Sequence, residues 1–382
     1  MPLGQLEGFT IGVTADRRWE QQSELLSRRG ARVIHAPTIR TDYLTAEATV
    51  RDATMQVLRR PPDVFVATTG IGVRAWLETA QTWGLGADLV GALSGCRLVA
   101  RGPKAAAALE ANGLSGAERV ASESMNEVLD LLLRTDQRGR VIVVQDYGHP
   151  SGSELTGPLE AAGAQVVSVP VYRWRVPADR EPAYRLLDAM VAGEVDAVTF
   201  TSAPAVRNLL ALAEATDRGD EARDAFNRRH VVAACVGPVC AQSAREQGIE
   251  SPVAPDVGRL GLLVRSLSEE LARRRTVLDG GGEPVTIQGA AVERAGHVIV
   301  LSARERAVLR RLVEAEGGTV GKTVLLRGVW RAPADRGAHV VEVTVGRLRR
   351  RLAPLGVSVV TVVRRGYRLE TGPLPPERSP QE

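Results

Sequence analysis

Apolar residues follow two rhythms along this chain. Short unbroken apolar, largely β-branched runs sit near residues 9–14, 64–67, 96–100, 140–145, 196–200 and 231–236, separated by longer Ala/Leu-rich stretches of helical period. Strands buried on both faces need such unbroken runs, so the alternation predicts parallel sheets wrapped by helices, the α/β class. Beyond about residue 285 the rhythm changes. Strand-like pieces at 285–288, 291–294 and 297–301 precede a helix that Ser302 and Glu305 open as a capping box and Gly317-Gly318 closes. Val341, Val345, Leu348 and Leu352 then recur at i, i+4, i+7 and i+11, one apolar stripe on a helix over 339–352. The run Val357 to Val363 reads as a strand, Arg364-Arg365-Gly366 as a turn, and Tyr367-Arg368-Leu369 as the returning strand. A helix followed by such a hairpin is the geometry of a winged helix-turn-helix.

The first 270 residues are a duplication. With a shift of 133, Leu26, Gly30, Ala31, Val33 and Pro37 return as Leu159, Gly163, Ala164, Val166 and Pro170, and the stretch from Asp63 to Thr69 returns as Asp196 to Ser202. With a shift of 135, Gly102-Pro103 returns as Gly237-Pro238. Two copies imply two similar lobes. The Thr68-Thr69, Gly102-Pro103, Thr201-Ser202 and Gly237-Pro238 corners follow predicted strands, where ligands bind in open α/β sheets.

Charge sharpens the reading of the C-terminal part. Residues 321–370 hold eleven Lys/Arg and three acids, a net of +8, whereas the whole 382-residue chain is only +4. A solvated basic helix would produce a local charge run, but cation concentrated in one small domain is the footprint of a phosphate-backbone binder. Composition is that of a globular protein, 44% hydrophobic and 25% charged. No apolar run has the length of a bilayer span and the N-terminus has no signal-like core, so a cytoplasmic location and no membrane partner are expected. Cys96, Cys235 and Cys240 lack Cys-x-x-Cys spacing and the five histidines are scattered, which favours buried structural thiols over a metal site or a disulfide. No cofactor is expected. Asp146, after the run ending at Gln145, has the position of a phosphoacceptor, but the acidic pair such a receiver needs after its first strand is missing.

Two resemblances follow from these motifs. Leu301-Ser302-x-x-Glu305, Leu325-Leu326-Arg327-Gly328-Val329-Trp330, Val341-Glu342-Val343, Arg347-Leu348-Arg349-x-x-Leu352 and Gly366-Tyr367-Arg368 resemble, in order, the OmpR-type output domain of bacterial response regulators. That resemblance implies double-stranded DNA as partner, with Val343, Thr344 and Arg347 toward bases, and Arg349, Arg350, Arg364 and Arg365 toward the phosphate backbone. It also suggests a homodimer on DNA.

The paired Asp196-x-x-x-Phe200-Thr201-Ser202-Ala203 and Val236-Gly237-Pro238 elements, with Val169-Pro170-Val171-Tyr172-Arg173, resemble uroporphyrinogen-III synthase over about residues 8–268. The family fold is two α/β lobes joined by a two-stranded hinge, here expected near 36–40 and 169–173. Its reaction cyclises hydroxymethylbilane, a linear polycarboxylate tetrapyrrole, to uroporphyrinogen III with inversion of ring D and loss of water. The protein's main task in that reaction is to hold the flexible chain in shape, which calls for backbone N–H groups and hydroxyls around carboxylates. The resemblance implies Thr14, Arg17, Thr68, Thr69, Gly102, Lys104, Thr201, Ser202 and Gly237 as substrate-binding positions. It makes Tyr172 the candidate acid for the leaving hydroxyl, a role that competes with plain packing of a hinge tyrosine. The chain departs from the family where Lys104-Ala105 and Val239-Cys240 stand in place of a helix-starting Thr after Gly-Pro.

The expected organisation is therefore a synthase-like domain over 1–270 (one lobe about 1–36 plus 173–270, the other about 40–169), a flexible linker at 271–284, a winged helix at 285–370 and a disordered tail at 371–382. Two functions fit it. One is a transcription regulator that senses a tetrapyrrole, hydroxymethylbilane or uroporphyrinogen III; the alternative is an active synthase carrying a regulatory DNA-binding domain.

Overall fold

In the computed structural model the described residues are all but 1–2, 45–47, 122, 147–153, 229–230, 331–337 and 375–382. The chain forms two compact bodies, one of residues 1–38 and 178–382, the other of residues 39–177.

The second body is the simpler. Its five strands lie in the order Glu118–Arg119, Arg97–Ala100, Val64–Ala67, Val141–Asp146 and Gln165–Pro170, all parallel. Phe65, Ala67, Leu98, Val141, Val143 and Val167 feed one apolar core while Val64, Val66, Val99, Ile142 and Val144 feed another. Burial on both faces is why these strands read as unbroken apolar runs rather than as alternation. An antiparallel pair, Arg40–Tyr43 with Tyr172–Arg175, completes this body.

That pair is the two-stranded hinge, displaced from the expected 36–40 and 169–173. On one side Gln165–Pro170 stays in the parallel sheet through Pro170, which is partnered with Asp146. On the other, Thr38 belongs to the first body, where its hydroxyl donates to Ala205 O at 2.9 Å and its carbonyl accepts from Asn208 Nδ2 at 2.8 Å. Only residues beyond these tethers can pair with one another.

In the first body four parallel strands run Val232–Cys235, Ala197–Phe200, Thr10–Val13, Arg32–His35. The chain's opening strand thus pairs with a strand nearly 190 residues later, Ile11 with Ala197. The internal repeat is structural as well as textual. Leu26 and Leu159 are both fully buried, and Gly30 and Gly163 both take the left-handed conformation after a helix, at φ 94° and 87°.

Leu260–Arg273 leads into the C-terminal domain of the same body. Within the stretch expected as a linker, Thr276–Leu278 is a strand, the first of an antiparallel sheet continued by Val285–Gln288, Ala291–Arg294 and His297–Val300. Helix Ala303–Glu314 follows, opened by the Ser302/Glu305 capping box, then Lys322–Leu325 running into a π-turn, Leu326–Trp330. Helix Ala338–Leu352 and the hairpin Val357–Val362/Gly366–Thr371 complete a winged helix. Val341, Val345, Leu348 and Leu352 are buried, as their spacing predicts. Of the expected tail, 375–382 lies outside the described residues. No helix among the described residues is long and apolar enough to cross a membrane.

Candidate ligand corners and nucleic-acid face

In each body two helices start directly after parallel strands, so their unpaired N–H groups face the carboxyl edge of a sheet. In the second body Thr69 is the N-cap of helix Gly70–Thr82 and accepts from Gly72 N at 3.2 Å. Its hydroxyl also lies 3.0 Å from the Tyr172 hydroxyl. Thr68 is buried and donates to Gln145 O at 2.7 Å. Gln145 organises this corner: its Oε1 accepts from Thr69 N at 3.1 Å and its Nε2 donates to Asp146 O at 2.8 Å. A Cβ at position 72 would come within 2.1 Å of that amide, so Gly72 is what makes room for it. Gln145 escaped the sequence reading, although a lone amide ending Val-Ile-Val-Val-Gln-Asp was its signal. Asp146 is buried and accepts from Ser168 Oγ at 3.2 Å.

Gly102, extended, caps helix Pro103–Glu110 beside the same corner, where Lys104 O would meet a Cβ on Gly70 at 2.2 Å; the Lys104 side chain is exposed. The structure thus brings Thr68, Thr69, Gly102, Lys104 and Tyr172 to one edge of one body. Tyr172 itself is fully buried, set edge-on to Trp174 with ring centroids 5.6 Å apart.

The first body repeats the arrangement with different side chains. Ser202 caps Ala203–Glu214 and Gly237 caps Pro238–Glu246, each followed closely by a proline in the first helical turn. The Ser202 Oγ is buried without a hydrogen-bond partner, a group whose desolvation a ligand acceptor or donor would offset. Thr201 beside it is half-buried. Thr14 lies at this edge too, but its buried hydroxyl donates to Thr199 O at 2.8 Å and holds strand ends rather than offering itself. Arg17 is exposed. After Gly-Pro, where the family has a hydroxyl, Cys240 turns inward onto Phe200 O at 3.6 Å. The side-chain hydrogen bond with Cys240 and burial push the Cys235 thiol well above its ordinary value, and burial pushes the Cys96 thiol up to about 11. Cys235 and Cys240 are buried and Cys96 is half-buried, all three as free thiols, and no group of residues suited to a metal ion occurs among the described residues.

On the winged helix, Val343, Arg347 and Arg350 are exposed on the face of Ala338–Leu352 away from the buried stripe, with Thr344 half-buried beside them. A Cβ on Gly346 would meet nothing within 4 Å, so this face is open to close approach. Arg364, at φ 60°, and Arg365 project from the turn of the wing. Arg349 is placed differently from the other cations. It donates to Val359 O and, at 2.5 Å, to Thr361 Oγ1, with its guanidinium 5.8 Å from the Tyr367 ring centre, so it straps helix to wing.

Comparison with known proteins agrees with this geometry. The family model for uroporphyrinogen-III synthase HemD matches residues 20–264, and that for the C-terminal domain of transcriptional regulatory proteins matches residues 296–369. The chain is 29% identical over 264 residues to the uncharacterized protein YjjA of Bacillus subtilis, covering 69% of this chain and 96% of that one. A crystal structure of a mutant uroporphyrinogen III synthase from Thermus thermophilus superposes with a TM-score of 0.59 at 33% identity, over 69% of this chain and 99% of that chain. The C-terminal part is 38% identical over 93 residues to the transcriptional regulatory protein CutR of Streptomyces coelicolor, 24% of this chain and 42% of that protein. The chain therefore belongs to the uroporphyrinogen-III synthase family and carries, fused behind that domain, an OmpR-type winged-helix DNA-binding domain.

Proposed function

We propose that this protein is a DNA-binding transcription regulator whose synthase-family domain binds a tetrapyrrole, hydroxymethylbilane or uroporphyrinogen III, and couples that binding to DNA. The observation that carries the reading is the exposed Val343, Arg347 and Arg350 face opposite a fully buried stripe, in a domain of strong net positive charge. The ligand half rests on the four helix N-termini at strand ends, which present backbone N–H groups to carboxylates. Hydroxyls that would add chemistry are spent on backbone carbonyls at Thr14 and Thr68. The fused DNA-binding domain and the loss of the family's Thr after Gly-Pro, at Lys104-Ala105 and Val239-Cys240, favour the sensor over the enzyme.

The test is operator binding by fluorescence anisotropy, with and without uroporphyrinogen III at fixed ionic strength. Tetrapyrrole is expected to change DNA affinity by roughly 5- to 150-fold, and operator DNA to change tetrapyrrole affinity by the same factor. Arg347→Ala should relax sequence preference, whereas Arg350→Ala should weaken all sequences alike and flatten the salt slope by about one unit. Equal loss of specific and random binding on Arg347→Ala would remove it from base reading, and no response to tetrapyrrole would end the sensing model.

One observation favours the alternative of an active synthase: the Tyr172 hydroxyl is retained and joined to Thr69 at 3.0 Å. If turnover occurs, hydroxymethylbilane should yield mainly the type III isomer, and Tyr172→Phe should slow its formation by roughly tenfold or more. A product ratio equal to that of spontaneous type I closure would dismiss catalysis.

A further inference from the structure

Where the winged helix meets the synthase-family lobe within the first body lies a cavity of about 410 Å³ that neither the tetrapyrrole corners nor the DNA face uses. Its walls come from the end of Leu260–Arg273, the start of the Ala197–Phe200 strand and one side of helix Ala303–Glu314, over an apolar floor that includes Phe9 and Leu309. Arg273, Arg274, Arg275, Arg306 and Arg310 line it, against two carboxylates, Asp196 and Glu314.

The cations are not equally satisfied. Arg306 is held by both oxygens of Asp196. Arg273 and Arg274 share Glu270, at 3.1 Å each. Two have no close carboxylate partner among the described residues. Arg275 hydrogen-bonds the neutral Gln288 amide oxygen and forms no salt bridge among the described residues. Arg310 has Glu314 only at 3.8 Å, and Glu314 sits closer to Arg311, at 3.1 Å. Burial, and after it the neighbouring Arg306 guanidinium, depress the basicity of Arg310.

We propose that this cavity is a binding site for a small multivalent oxyanion, of phosphate or di- or tricarboxylate class, gripped by Arg275 and Arg310 where the winged helix meets the synthase-family lobe. Guanidinium groups match such oxyanions bidentately, and an anion here supplies the charge that Asp196 and Glu314 leave unmet. The volume lies near the lower end for small-molecule sites, which suits a compact metabolite and is too small for a four-ring polycarboxylate. Leu309 and Leu312 of the cavity's helix share a core with Val345 and Leu348 of the helix that carries Arg347, so a ligand here bears on the DNA-reading element. The proposal goes beyond the tetrapyrrole reading and stands without it.

The test is isothermal titration of the full chain with inorganic phosphate and, separately, with citrate, at constant ionic strength with chloride as the reference anion. Saturable binding of one equivalent is expected for at least one of them, and the tighter arm tells phosphoryl from carboxylate ligands. Arg275→Gln and Arg310→Gln should each weaken it by roughly tenfold or more, while Arg347→Ala, on the DNA face, leaves it unchanged. Arg275 is exposed, so its variant keeps the test valid should Arg310→Gln disturb folding. Absence of saturable binding by either anion would overturn the proposal. So would binding that survives both cavity substitutions, or that is lost equally in Arg347→Ala.

Discussion

Replacing Asp196 by alanine is expected to lower stability by roughly 3–5 kcal/mol, the cost of breaking a buried pair and leaving a charge behind. Its side chain is 8% exposed and that of its partner Arg306 13%, so solvent offers little compensation. The carboxylate also accepts from Thr10 N at 2.8 Å, so the same change orphans a strand N–H. Denaturant unfolding of Asp196→Ala, Arg306→Ala and the double variant would measure the coupling. The double variant should be less damaged than the sum of the singles, because no guanidinium is then left stranded. A loss below about 1 kcal/mol for Asp196→Ala would mean that the pair behaves as a surface salt bridge. Since Arg306 lies on the first helix of the winged domain, its loss should also separate one unfolding transition into two.

Arg294→Met is expected to destabilise the winged domain by roughly 3–5 kcal/mol, because several hydrogen bonds from a charged donor vanish and buried carbonyls lose their partner. Arg294 is 1% exposed. Its guanidinium donates to Glu283 O at 3.0 Å, Leu355 O at 2.8 Å, Gly372 O at 2.7 Å and Gly280 O at 2.5 Å. These carbonyls come from the turn after Thr276–Leu278, from just beyond helix Ala338–Leu352 and from beyond the wing, so one side chain closes the domain. Arg294→Lys should recover only part of the loss, since a single ammonium cannot span four acceptors in the guanidinium's fixed geometry. Amide hydrogen exchange would report it, and unchanged protection across Val357–Val362 and Gly366–Thr371 in Arg294→Met would refute the clamp.

Much of the candidate site was legible because it depends on short-range chemistry. The Ser302/Glu305 capping box and the stripe of Val341, Val345, Leu348 and Leu352 are set by residues within a few positions of one another. Gln145, Arg294 and Arg306 were missed for the converse reason. A buried Gln, a buried Arg and a helix Arg look alike on paper to their exposed counterparts until the partner, 76, 78 or 110 residues away, is in place. Arg349 makes the same point in reverse: the family resemblance implies a phosphate contact for it, while the fold lays it across Tyr367.

The sequence by itself determined the α/β class, the duplication and the basic winged helix, because apolar period, β-branching and charge density act locally and repeat in register. Only the tertiary structure decided where the hinge strands pair, since Thr38 is captured by Ala205 and Asn208 and Pro170 by the parallel sheet before Arg40–Tyr43 and Tyr172–Arg175 can meet. It also separated the two repeats. Asp63 and Asp196 are equivalent by the 133-residue shift and do the same local work, accepting from Val141 N at 2.7 Å and Thr10 N at 2.8 Å. Only Asp196 gains Arg306, because the chain folds a further domain against that lobe. A carboxylate's second partner is chosen by what packs within a few ångströms, and distance along the chain carries no information about that.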